Sequence, residues 1–112
     1  MGNAAPVLAQ TATSTSLIYS TTTAPVIIAQ YASDYGIAVQ PLVDTLDCES
    51  DFNSNAIGDH GTSYGVAQIH LAAHPEVTKS EALDPLWSIK WAAQEFAAGN
   101  ADLWSCYKRL YK

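Results

Sequence analysis

The chain has 112 residues, a formal net charge of −6 and only 14% charged residues. This length holds one domain with a modest core and excludes a doubly wound cofactor-binding sheet, a TIM barrel or tandem domains. Eleven acidic residues against five basic ones leave no basic stripe to neutralise phosphates, so nucleic acid is not an expected partner. No apolar run is long enough to span a membrane, and no insertion is expected.

No charged side chain precedes Asp34, and nine of the fourteen residues from Thr11 to Ala24 are Thr or Ser. Residues 1–24 read as a tail or linker, with Leu17-Ile18-Tyr19 able to pin it to the domain as an extended strand. The basic start and longer apolar core of a signal peptide are missing, so any export would depend on a segment absent from this sequence. Residues 25–112 carry a folded-domain pattern. Ala24-Pro25 opens a first helix that Gly36 closes. A second helix is predicted from about Gln40 to Asp51, followed by a short hairpin or turn-rich stretch over Asp59 to His70. Thr78 and Glu81 form a capping-box pattern for a short helix. Asp84-Pro85 then starts a long helix that stops at Gly99, and Asp102 is expected to cap a last helix ending near Leu110. The fold class predicted is α+β, mostly α.

The second helix carries the most informative residue. At 100° per residue, Leu42, Leu46 and Glu49 share one face, while Asp44, Asp47 and Asp51 point to solvent. A carboxyl on an apolar stripe is desolvated, which raises its pKa and equips it to donate a proton at neutral pH. The plainer alternative is a glutamate at the helix rim with its head in water.

Glu49-Ser50 followed by Asn53-Ser54-Asn55-Ala56, and then Gly58-Asp59-His60-Gly61 and Gly65-Val66-Ala67-Gln68-Ile69, resembles the lysozyme and lytic transglycosylase superfamily. That superfamily pairs a helix-end Glu-Ser with Asn-x-x-Ala and a glycine-rich hairpin ending in Gly-x-x-Gln-Ile. The Gly-Asp-His-Gly segment is most similar to goose-type lysozymes. The resemblance covers roughly residues 25–110. It implies a lysozyme-like fold with a small β-hairpin beside a helical core. It further implies a peptidoglycan-degrading muramidase with Glu49 as general acid, working as a monomer without metal or organic cofactor. The location expected is extracellular or periplasmic, in the cell envelope.

The second acid departs from the pattern. Animal-type lysozymes carry an aspartate where this chain has Ser63, which disfavours a carboxylate nucleophile. Asp59 matches one water-positioning aspartate of goose-type relatives, and His70 stands where another would be. Inversion through a water held at Asp59, or transglycosylation by the sugar's own acetamido group, both stay open. So does a purely structural Asp59 bonded to its own turn. By the same resemblance Ser63, Tyr64 and Gln68 line the substrate cleft. Trp104 and Tyr107 join them, although Lys108-Arg109 replaces the Asn-Ala that follows such a tyrosine in transglycosylases. A non-catalytic lysozyme-like module that binds glycan or a partner, or serves a structural role, is the alternative function.

Other patterns are weaker. Gly61-x-Ser63-x-Gly65 fits the esterase nucleophile elbow, but the chain is too short for the required sheet. His70 and His74 are four apart, yet Pro75 ends any helix that would present both to a metal. Trp87 and Trp91 read as the buried hub of the long helix. Cys48 and Cys106 are either two buried thiols or one bridge that clamps the glutamate's helix to the last one.

Overall fold

The computed structural model describes residues 18–112. The fold is α+β and mostly α, with five α-helices and a small antiparallel sheet among the described residues. Helix α1, Ala24–Asp34, has Pro25 in its first turn and ends at Tyr35, where Gly36 adopts φ +68°. Its inward residues Ala24, Ile27, Ile28 and Ala32 are buried. The expected pinning strand is not formed at Ile18-Tyr19, and Leu17 lies outside the described residues. Tyr19 instead packs its ring on the core and donates its hydroxyl to the Phe52 carbonyl at 2.6 Å. Burial pushes that phenol up to about 12.

Helix α2, Val39–Ser50, buries Leu42, Thr45 and Leu46 on the predicted face. Asp47 and Asp51 are exposed, but Asp44 is half-buried and accepts hydrogen bonds from Gln40 and from the Tyr111 hydroxyl. The helix stops where Asp51 and Phe52 take left-handed conformations at φ 54° and 61°. The turn-rich stretch beyond is three two-residue strands rather than one hairpin: β1 Ile57–Gly58, β2 Ser63–Tyr64 and β3 Ile69–His70. Their register pairs Gly58 with Ser63 and Ser63 with His70.

The β2–β3 turn is the most deeply buried part of this sheet. Gly65 sits at φ +82°, and a Cβ there would lie 1.9 Å from the Ala82 carbonyl oxygen. Only glycine meets both demands. The turn's backbone groups are satisfied by side chains from elsewhere. Ser50 donates to the Val66 carbonyl at 2.7 Å, Ser88 accepts from the Ala67 amide at 3.1 Å, and Trp104 donates to the Ala67 carbonyl at 2.7 Å. Helix α3, Lys79–Leu83, has the predicted capping box, and α4, Pro85–Ala97, begins on the Asp84 side chain.

The chain end differs from expectation. Asp102 lies in a 3-10 turn, Ala101–Leu103, and pairs with Lys112 at 3.0 Å instead of capping the last helix. Helix α5, Ser105–Tyr111, starts at Trp104 with no local side-chain cap. Its free amide at Cys106 is taken by Glu49, 57 positions away in sequence. Cys48 and Cys106 form a disulfide that ties α2 to α5. No helix among the described residues is long and apolar enough to cross a membrane.

Thr45 is fully buried on α2, and its hydroxyl has no hydrogen-bond partner among the described residues. An unpaired buried hydroxyl costs about 1–3 kcal/mol. Thr45→Val keeps the shape and removes that polar group, so the urea midpoint should rise by the equivalent of about 1 kcal/mol. An unchanged or lower midpoint would show that the hydroxyl is satisfied.

Candidate active site

Glu49 is the last residue but one of α2, half-buried at the edge of the core. Its Oε2 accepts the backbone N–H of Cys106 at 3.1 Å. The carboxyl thus stands between the C-terminal end of one helix and the N-terminal end of another. Burial raises its pKa above the ordinary glutamate value, and the Asp59 charge adds to this. The Cys106 hydrogen bond and the Arg109 guanidinium act in the opposite direction without reversing the shift. The desolvation expected from the apolar stripe is present, and so is a capping role that the stripe could not reveal.

Arg109 is held beside the disulfide, its Nη2 2.7 Å from Cys48 Sγ and 3.6 Å from Cys106 Sγ. Cys48 immediately precedes Glu49, and Cys106 supplies the amide that Glu49 accepts. The bridge therefore fixes both sides of the carboxyl's environment.

Glu49 opens onto a cleft of about 160 Å³ whose lining includes Asp59, Ser63, Gln68, His70, His74, Trp91, Trp104 and Lys108. Asp59 is exposed at the rim, in a loop where Asp59 and His60 both adopt left-handed conformations at φ 51° and 59°. Asp and His tolerate that region better than most residues. Its Oδ2 accepts the Ser63 hydroxyl at 2.6 Å, and Ser63 is almost fully buried. His70, paired with Ser63 across the strands, brings Nδ1 to 3.5 Å from the same hydroxyl oxygen. His74 meets the Trp91 ring edge-on at 4.9 Å between centroids and lies 3.7 Å from the Glu76 carboxylate. The arrangement offers a proton donor on one element and a carboxylate–hydroxyl–imidazole series on another. Among the described residues no group of three or more His, Cys, Asp or Glu is arranged to hold a metal ion.

No family model, curated protein or solved structure matches the chain. The site therefore stands on its own geometry.

That geometry brings Glu49, Asp59, Ser63, Gln68 and Trp104 together and corrects two expected cleft residues. Tyr64 is not in the cleft. Neighbouring strand residues point to opposite faces, so Ser63 facing the cleft sends Tyr64 away from it. Its hydroxyl donates to the Gly61 carbonyl, and Lys79 lies 5.1 Å above its ring. Tyr107 is not among the cleft residues either and makes no hydrogen bond to Glu49. One residue on from Cys106 along α5, it packs on Phe96 and Tyr111 and borders a separate cavity of about 320 Å³.

Two more residues reach the cleft in a different role from the one expected. Gln68 lines it, but its amide is engaged with the Ala56 and Gly65 carbonyls at 3.1 and 2.9 Å. It holds the sheet's turn together. Trp104 borders the cleft yet is only 4% exposed, packed between Trp91 and Phe96. Trp91 is buried in the core, as expected, and borders the cleft as well.

Sequence reasoning set His70 where goose-type relatives carry a second water-positioning aspartate but gave it no role, and it placed neither His74 nor Lys108 in the cleft. A register count would have found the first: four-residue loops on both sides of β2 put His70 opposite Ser63. Nothing local marks the other two: His74 lies in the turns that follow β3, and Lys108 is on α5, which the disulfide and Glu49 tie to α2.

Two outcomes follow from this geometry. A folded-state pKa raised above the unfolded one means that stability falls as pH rises from the unfolded value through the folded value. Ionised Glu49 is thus a net liability at neutrality, and Glu49→Gln should raise the Tm at pH 7. The gain should vanish below the unfolded glutamate value of about 4.3. Thermal unfolding of both proteins between pH 3 and 8 checks this; a gain that grows on acidification refutes it. Reduction of the disulfide should lower the Tm by roughly 15–30 °C, from about 4 kcal/mol of lost constraint in a domain of this size. A reduced protein that melts where the oxidised one does would show that the bridge contributes nothing.

Proposed function

We propose that the protein cleaves the β-1,4 bond between N-acetylmuramic acid and N-acetylglucosamine in bacterial peptidoglycan, with Glu49 as the general acid. One observation carries this reading. The desolvated Glu49 carboxyl, protonated to higher pH than an ordinary glutamate, faces a cleft that holds a second carboxylate, Asp59. Two carboxyls in unlike environments are the usual means of dividing acid and base roles in glycoside cleavage. Such a pair suits a reaction that protonates the glycosidic oxygen and passes through an oxocarbenium-like transition state. The sequence resemblance to lysozymes and lytic transglycosylases supports the substrate assignment.

In this reading Glu49 protonates the leaving oxygen. A water held on the Asp59 side, or the sugar's own acetamido group, then closes the reaction at the anomeric carbon. General-acid chemistry of this kind needs no cofactor. The proposed setting is extracellular or in the cell envelope, and the Cys48–Cys106 bridge is compatible with an oxidising compartment.

A second reading has its own support. Glu49 also caps α5 through the Cys106 amide, and that role alone would suffice for a non-catalytic lysozyme-like module that binds glycan. Clearing of purified cell-wall suspensions separates the two. The native protein should release soluble fragments, and Glu49→Gln should fall by at least about 10³-fold while keeping its fold, because the site holds no second proton donor in that position. Retention of ordinary activity by Glu49→Gln would end the catalytic assignment. Mass spectrometry of the products distinguishes reducing ends, from hydrolysis, from anhydro ends, from transglycosylation.

A further inference from the structure

The Asp59–Ser63–His70 series has a directionality that the hydroxyl itself decides. Ser63 has one proton, and at 2.6 Å from Asp59 Oδ2 that proton is directed to the carboxylate. The oxygen then offers only lone pairs to His70 Nδ1 at 3.5 Å. A neutral imidazole meets it by carrying its proton on Nδ1, the tautomer that the hydrogen-bond network requires. Nε2 is left as the basic nitrogen. Asp59, with Oδ2 engaged by Ser63, is suited to stabilising positive charge on the ring one hydroxyl away.

Other ionisable groups bordering the cleft are engaged differently. Glu49 holds the Cys106 amide, His74 lies against Trp91 and Glu76, and the Lys108 side chain is a hydrogen-bond donor rather than an acceptor. Of the two cleft residues held by the buried Ser63 hydroxyl, Asp59 has Oδ2 engaged as acceptor of its proton, and His70 keeps the lone pair of Nε2 unengaged by that contact. Two-residue strands in antiparallel register fix it opposite Ser63.

We infer that His70 is the base that takes the proton from the attacking water, with Ser63 and Asp59 as positioning residues. This rests on the glycosidase reading and specifies how its hydrolytic branch proceeds. The water oxygen bonds to the anomeric carbon while His70 Nε2 takes one water proton. The glycosidic C–O bond breaks with its electron pair going to the leaving oxygen, which takes the proton of Glu49. The products are an inverted hemiacetal, a free alcohol, an imidazolium at His70 and a carboxylate at Glu49. Transfer of the imidazolium proton to Glu49 through solvent restores the enzyme, with one water consumed.

The test compares the native chain with His70→Gln, His70→Asn, Ser63→Ala and Glu49→Gln on purified peptidoglycan, with and without azide. His70→Asn places an amide N–H near the Nδ1 position and so keeps the Ser63 contact, which guards against loss through misfolding alone. Both His70 variants should lose at least about 10²-fold in kcat with KM little changed. Ser63→Ala should lose less, again in kcat. Azide, a nucleophile that needs no deprotonation, should restore turnover in the His70 variants and give a glycosyl azide of inverted configuration. It should not rescue Glu49→Gln. Full activity of either His70 variant, or failure of azide to rescue both, would overturn the role of His70 while leaving Glu49 as the acid. Anhydro ends from the native enzyme would do the same. A native protein that cuts no glycan would overturn the glycosidase reading itself, and the base with it.

Discussion

The buried turn from Gly65 to Gln68 is the constraint on which the remaining structure depends. A turn exposes backbone amides and carbonyls, and burying them unpaired would cost more than the adjoining contacts return. Here α2 supplies the Ser50 hydroxyl, α4 supplies Ser88, and the segment before α5 supplies the Trp104 indole. Each hydrogen bond both satisfies the turn and positions the element that provides it. The sheet, two helices and the segment before α5 are thereby referred to a single four-residue loop.

The cleft inherits its geometry from that loop. Ser50 ties the end of α2 to Val66, so the neighbouring Glu49 is placed relative to β2 and β3 within one hydrogen bond of the turn. Ser63 and His70 flank the same turn on the other side. Acid and candidate base are thus mounted on opposite sides of one rigid element, as reaction between fixed groups requires. Two-residue strands would be weak supports in isolation. They suffice here because Val66, Ala67 and Ile69 are buried in the common core.

Glu49 combines demands that ordinarily conflict. Desolvation favours its protonated form, whereas acceptance of the Cys106 amide favours the carboxylate. With both present, the carboxyl is oriented by the amide yet remains easier to protonate than a glutamate in water. The disulfide makes this combination possible by keeping α5, a helix of only seven residues, from separating from α2. An isolated helix of that length would not persist in water.

Much of the fold was legible in local residues because its causes are local. Pro25 and Gly36, the Thr78–Glu81 capping box and Asp84-Pro85 each act within one helical turn, and each element appears where they place it. The stripe through Leu42, Leu46 and Glu49 likewise singled out Glu49 as the candidate desolvated acid, with a solvated rim position as the alternative, since 100° periodicity depends on the helix alone. The site around that acid was less legible. Tyr64 and Tyr107 were assigned by their neighbourhood in sequence, but side-chain direction depends on strand pleat and on the orientation of α5. Asp102 was a reasonable cap by residue type, and Glu49 took that place from another helix. The sequence by itself determined where α1, α3 and α4 begin and that Glu49 shares the apolar stripe of α2. Tertiary structure alone decided that Cys106 meets Glu49 and that His70 meets Ser63. The physical reason is that these contacts join residues far apart in the chain or on separate strands, and only the packing of the buried turn brings them within hydrogen-bond reach.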